Sequence, residues 1–139
     1  AGFETSSTTM TWALYELAKD QKVQNKLRQE IDAVLKKYNG EHTYEAYLDM
    51  KYLEQVIKET LRKYTPGAML FRSCSKDYTV PDTNVTIEKD TLCMIPIWGL
   101  HTDPEYFPNP EQFDPERFND ENKRKIPHYA WIPFGEGPR

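Results

Sequence analysis

The chain has 139 residues, of which 38% are hydrophobic, 13% aromatic and 29% charged, and its net charge is −4. The length suits one small domain, the aromatic content sets the chain apart from disordered sequences, and the interspersed charges leave no basic footprint for nucleic acid. No apolar run of about 18 residues is available to span a bilayer, and no signal-peptide pattern opens the chain.

Residues 1 to 64 read as helical. Phe3, Met10, Ala13, Leu14, Leu17 and Ala18 fall near helical spacing. Val23, Leu27, Ile31, Val34, Leu35 and Tyr38 then recur at steps of three and four, an amphipathic helix begun by Asp20 and stopped at Asn39-Gly40. Thr43 is the predicted cap of a short helix through Leu48, and a longer helix runs from Lys51 to Tyr64 with Leu53, Val56, Ile57, Leu61 and Tyr64 on its apolar side.

Thr65-Pro66-Gly67 ends the helical region, because a proline disfavours helical backbone at the residue before it. Residues 65 to 95 carry short strand-like runs, Met69–Ser73, Tyr78–Val80, Val85–Ile87 and Leu92–Ile95, with turns at residues 81–84 and 88–90. From Pro96 the pattern dissolves: eight of the ten prolines lie there, which argues against regular structure. Yet Phe107, Phe113, Phe118, Tyr129, Trp131 and Phe134 are too many aromatics for a solvated linker, so residues 96–133 are expected to be an ordered coil packed on a core. The expected class is mainly α with small β-sheets.

Few residues suggest chemistry by themselves. Cys74 and Cys93 lack zinc or redox spacing. They read either as a pair on neighbouring strands or as two reduced and mostly buried thiols, and nothing marks a secreted disulfide scaffold. His42, His101 and His128 show no metal spacing, and His101 to Pro104 reads as a turn. Ser6, Ser7, Thr8 and Thr9 have no partnered base and no nucleophile elbow.

Four motifs recur in a fixed order. Ala1-Gly2-Phe3-Glu4-Thr5 opens the chain, Glu59-Thr60-Leu61-Arg62 lies on the long helix, Pro115-Glu116-Arg117-Phe118 lies in the proline-rich coil, and Phe134-Gly135-Glu136-Gly137-Pro138-Arg139 closes the chain. Taken singly they read blandly: an N-cap, an exposed i,i+3 pair contributing a few tenths of a kcal/mol, and a Gly/Pro turn.

Taken together, the motifs resemble the C-terminal part of a cytochrome P450, a haem-thiolate monooxygenase, in the dialect of the insect microsomal members. The resemblance implies the fold from the central I helix through the K helix and meander to the start of the haem loop, one partial domain over residues 1–139 with the truncated loop at 134–139. It covers about the last third of a family member, with a departure at Pro66-Gly67, where relatives often carry two prolines. Glu59, Arg62 and Arg117 are expected to form a buried structural triad that clamps the coil to the helices, since a guanidinium grips a carboxylate bidentately. Arg139 and Arg72 are expected to pair with haem propionates, the latter also readable as a solvated strand arginine. Gly135 and Gly137 would let the backbone approach the porphyrin, and Phe134 would pack beside the thiolate. Glu4 and Thr5 are the expected catalytic proton relay. Ala1, Gly2 and Phe3, with Ala68, Met69, Leu70 and Phe71, are expected to face a lipophilic substrate.

No residue of the chain is expected to ligate metal; the ligand cysteine is expected two positions past Arg139, and the chain by itself is expected to fold poorly, bind no haem and be inactive. The implied cofactors are haem b and NADPH, acting through NADPH-cytochrome P450 reductase. The implied partners are that reductase, dioxygen, a lipophilic substrate and a membrane, at the cytosolic face of the endoplasmic reticulum. Xenobiotic or endogenous lipid metabolism is the implied setting. Two other readings stay open: a non-enzymatic helical interaction module, which requires Arg117 and Arg139 to be exposed, and an isomerase or dehydratase of the same fold, which Glu4 and Thr5 argue against.

Overall fold

A computed structural model describes residues 2–137. Helices α1 (Glu4–Lys19), α2 (Gln21–Lys37), α3 (Tyr44–Asp49) and α4 (Lys51–Lys63) build the first half. Along α1, the hydroxyls of Ser6, Ser7, Thr9 and Thr11 donate to carbonyls three or four residues back, so each is satisfied within the helix. Most of the apolar stripe of α1 stays out of the core: Phe3, Met10 and Leu14 are 80%, 59% and 67% exposed, while Leu17 packs on it. Glu16 is the buried residue of this helix.

Asp20 starts α2 by accepting the Lys22 and Val23 amides, and Gly40, at φ +81°, ends it by donating to the Leu35 carbonyl. Thr43 caps α3 through the Ala46 amide. Helix α4 has no cap of its own; instead Glu30 of α2 accepts the Tyr52 and Leu53 amides at 2.7 and 2.9 Å. A remote carboxylate thus serves the orphan donors of a helix start and meets the positive end of its dipole.

The core has two clusters. Leu27, Tyr52, Val56 and Phe113 pack together with Leu17, Val23, Ile31 and Leu53 against them, while Phe107, Phe118 and Ala130 form a second group with Tyr106, Ile126 and Trp131. The aromatics of the proline-rich coil are therefore split: Phe107, Phe113 and Phe118 are buried, but Tyr129 and Phe134 are 63% and 67% exposed. On α4, Tyr52 is buried and Ile57 is 42% exposed, so the inward face is rotated from the one expected from apolar spacing.

The strands form two antiparallel pairs. Strand β1 (Leu70–Ser73) pairs with β4 (Leu92–Ile95), Leu70 opposite Ile95, and β2 (Tyr78–Thr79) pairs with β3 (Thr86–Ile87). Cys74 and Cys93 are both free and half-buried, so the disulfide alternative falls.

The coil expected from Pro96 begins instead with helix α5 (Ile97–Thr102). Residues 97–103 contain no proline, and Pro96 stands just outside the first helical position, so no amide is lost. The helix turns Ile97 and His101, one turn apart, inward and ends at the extended Asp103 before Pro104. Pro115 likewise starts a 3-10 helix, Pro115–Phe118, where Asp114 accepts the Glu116 amide. A second 3-10 helix follows at Asn122–Lys125. No helix among the described residues is long and apolar enough to cross a membrane.

Candidate functional site

Glu59 and Arg62 are completely buried, one turn apart on α4. Arg62 Nε donates to Glu59 Oε2 at 2.7 Å and Nη2 to Oε1 at 2.8 Å, a bidentate pair. The remaining guanidinium donors reach the coil, Nη1 to the His101 carbonyl and Nη2 to the Pro110 carbonyl, each at 2.8 Å. Glu59 Oε1 also accepts the Asp114 amide at 2.9 Å. Arg117 completes the cluster, its Nε 3.4 Å from Glu59 Oε1. That contact is an ion pair without hydrogen-bond geometry, and Arg117 Nη2 donates to the Asn109 carbonyl at 2.9 Å. The Arg62 guanidinium lies over the Phe107 ring, 5.4 Å from its centroid.

Burial raises the Glu59 carboxyl above its ordinary range, opposed by the Arg62 hydrogen bonds and charge, the Asp114 amide and Arg117. Beyond the pair itself, the contacts of the cluster go to main-chain groups of residues 101–114, most of which lie outside any helix or strand. The pair therefore does for the coil what main-chain hydrogen bonds do for a helix. The interaction-module reading required an exposed Arg117; its side chain is 12% exposed.

Three side chains that sequence reasoning passed over belong to this framework. Glu16, 3% exposed, accepts from Lys63 Nζ at 3.0 Å and from the Tyr64 hydroxyl, tying α1 to the end of α4, where Trp12 stacks on Tyr64 with centroids 4.2 Å apart. Burial raises its carboxyl, but the Tyr64 and Lys63 hydrogen bonds and the Lys63 and Lys19 charges bring the net below the ordinary value. Glu30 is the second, through the α4 cap. The third is His101, completely buried, whose Nε2 accepts the Ile132 amide at 3.0 Å. Burial lowers its pKa from 6.5 to about 4, and the Arg62 charge adds to this against the opposing pull of the nearby Arg62 and Leu61 backbone. No one-dimensional signal distinguishes these residues from solvated neighbours of the same type.

The glycine loop lies against β1. Gly135 has φ +72°, and a Cβ there would stand 2.8 Å from Leu70 Cδ1 and 3.5 Å from Arg72 Nη2. Gly137 has φ +114° with open space around it. Leu70, Arg72, Ile95, Tyr129, Ile132, Glu136 and Gly137 border one groove of about 390 Å³. Arg72 Nη1 donates to the Phe71 carbonyl at 2.9 Å, and among the described residues no carboxylate lies within ion-pair distance of it. Neither cysteine lines the groove.

At the other end, Glu4 and Thr5 occupy the first turn of α1 and are exposed, the Thr5 carbonyl accepting from the Thr9 hydroxyl. Gly2, Ala68, Met69 and Phe71 are also exposed, Leu70 half so, and Phe3, Met69 and Phe71 keep 80%, 51% and 53% of their surface. Ala1 and Arg139 lie outside the described residues.

A helical α+β framework, a buried Glu–Arg pair that holds a coil, and a two-glycine loop beside an arginine-bearing strand define a class of protein with an internal clamp next to an open groove. The chain belongs to the cytochrome P450 family, whose model matches residues 1–139. It is 54% identical over 138 residues to cytochrome P450 6k1 of Blattella germanica, covering 99% of this chain and 26% of that protein. It is 56% identical over 139 residues to probable cytochrome P450 6a23 of Drosophila melanogaster and 49% identical to cytochrome P450 6B1 of Papilio polyxenes, covering all of this chain and 28% of each relative. The chain thus spans about a quarter of these relatives, rather than the third expected.

Proposed function

We propose that the protein carrying this chain is a haem-thiolate monooxygenase that inserts one oxygen atom from dioxygen into a lipophilic substrate. Electrons come from NADPH through NADPH-cytochrome P450 reductase at the cytosolic face of the endoplasmic reticulum, in xenobiotic or endogenous lipid metabolism. The observation that carries this reading is the coil clamp: Glu59 and Arg62, completely buried, grip the carbonyls and amide of the segment that leads into the Gly135 loop.

The groove beside that loop fits haem. A Cβ at Gly135 would stand 2.8 Å from Leu70 Cδ1, so the loop is packed closely on that side chain. Leu70, Ile95 and Ile132 supply apolar wall, and Arg72 keeps guanidinium donors for a propionate. When bound, haem supplies dioxygen activation and one-electron chemistry, while the protein orients and insulates.

In this reading Arg72 and Arg139 hold propionates, and Gly135 and Gly137 keep side chains off the porphyrin face. Phe134, 67% exposed among the described residues, is available to shield the thiolate. Glu4 and Thr5 hold and pass protons at the start of α1. Ala1, Gly2 and Phe3, with Ala68 to Phe71, present apolar surface to the substrate. Because no cysteine lines the groove, the 139 residues by themselves are expected to be inactive. The test is the carbon monoxide difference spectrum of the reduced whole protein, followed by turnover of lipophilic substrates with labelled dioxygen, NADPH and reductase. A thiolate-type Soret band and label in the product are expected. No such band, or turnover that needs no reductase, would sink the reading, the latter in favour of an isomerase or dehydratase.

A further inference from the structure

The buried clamp and the glycine loop are joined through one residue. Arg62 Nη1 donates to the His101 carbonyl at 2.8 Å, and His101 Nε2 accepts the Ile132 amide at 3.0 Å. The Ile132 carbonyl in turn accepts the Gly135 amide at 2.9 Å, which closes the turn that packs on Leu70 and Arg72. The sequence Glu59–Arg62–His101–Ile132–Gly135 is therefore continuous in hydrogen bonds. His101 is its one side chain contributed by α5, a helix whose place in the fold is set by burial of Ile97 and His101.

The ring is held firmly. It is completely buried and packs T-shaped with the Phe107 ring, centroids 6.4 Å apart at 74°. Phe107 also carries the Arg62 guanidinium, so His101 and its partner Arg62 share one aromatic platform. The ring must be neutral with its proton on Nδ1 for Nε2 to accept the Ile132 amide. Nδ1 is buried with no hydrogen-bond partner of good geometry. A buried polar atom left so poorly satisfied is costly. An apolar residue would avoid that cost, so the bond to Ile132 is the feature that distinguishes histidine here.

We propose that His101 is the positioning residue that registers the glycine loop against the Glu59–Arg62 clamp, by accepting the Ile132 amide while its own carbonyl is held by Arg62. It touches neither substrate nor the reacting atoms. The assignment of the loop to haem rests on the proposed function above; the registration itself does not.

The test uses the whole protein with His101→Leu, which keeps bulk and removes the acceptor, and His101→Gln, whose amide oxygen reaches the Nε2 position. Hydrogen exchange at the Ile132 amide is read alongside the reduced carbon monoxide spectrum. The leucine variant is expected to speed Ile132 exchange about tenfold, the loss of one buried hydrogen bond, and to lose thiolate-type Soret intensity. The glutamine variant is expected to restore both. Unchanged Ile132 exchange in the leucine variant, or a glutamine variant as impaired as leucine, overturns the proposal. If the leucine variant does not accumulate folded, His101→Asn, too short to reach Ile132, replaces it; equal exchange in the asparagine and glutamine variants then overturns it. If wild type lacks the Soret band, the haem reading fails and the exchange comparison still decides the role of His101.

Discussion

Arg62 shows how one side chain substitutes for a missing main-chain ladder. Its guanidinium reaches Glu59 and the carbonyls of His101 and Pro110 at once, which a lysine cannot do because its three donors radiate from one atom. Replacing Arg62 with Met leaves Glu59 buried with Arg117 alone, and urea denaturation should show a loss of about 3–5 kcal/mol. Arg62→Lys should fall between that variant and wild type. Gly135→Ala should cost about 1 kcal/mol, because alanine disfavours φ +72°, while the nearby Leu70 methyl can swing aside. Gly67→Ala is the control: φ there is not positive and no atom lies within 4 Å of the new Cβ, so no loss, and a gain of up to about 1 kcal/mol, is expected in the same melts.

At the scale of elements, the helices meet through polar contacts as much as through apolar faces. Glu30 caps α4 from α2, and Glu16 ties α1 to α4 through Lys63 and Tyr64. Glu30→Ala should destabilise the protein by about 1 kcal/mol, the usual cost of a lost N-cap. Amide exchange should rise first at Tyr52 and Leu53, and a global rise with no local excess there would contradict the cap. The self-contained caps at Asp20 and Thr43 were legible in the sequence because donor and acceptor lie within three residues. Glu30 is more than twenty residues from its partners, so only the packing of α2 on α4 reveals it. Helix α5 was missed for another reason. Proline density over residues 96–139 argued for coil, but the prolines at 96 and 104 bracket a short window that contains none.

At the scale of the whole molecule, two buried titratable groups share one direction. The His101 pKa is lowered to about 4, and Glu16 is held below its ordinary value by Tyr64, Lys63 and Lys19 against the opposing effect of burial. A group whose pKa is lowered by folding contributes stability above its unfolded value and loses it as pH falls through the folded one. The contribution of these two groups should therefore be flat above about pH 6.5, then decline toward pH 4 as His101 takes up a proton in the unfolded chain but not in the folded one, with Glu16 contributing at the acid end and the raised Glu59 carboxyl opposing the trend. The His101 share is up to about 3 kcal/mol. His101→Gln should flatten the slope between pH 4 and 6.5 in chemical melts; an unchanged slope would assign the acid sensitivity elsewhere.

The sequence by itself determined the local events. The helix starts at Asp20 and Thr43, the stop at Gly40 and the apolar runs of strands β1 and β4 all depend on residues close together in the chain. Motif order also sufficed for the family, because spacing among several short motifs is far more specific than any one of them. Tertiary structure decided the rest. The pair Glu59 and Arg62 looks the same in one dimension whether solvated or buried; desolvation, and the carbonyls that come to meet the guanidinium, separate the two cases. It placed Phe113 with the helices while leaving Tyr129 and Phe134 exposed. It also turned His101 from one residue of a turn into the link between the clamp and the loop. Such long-range pairings follow from which surfaces remain to be covered once the local elements exist, and periodicity carries no record of that.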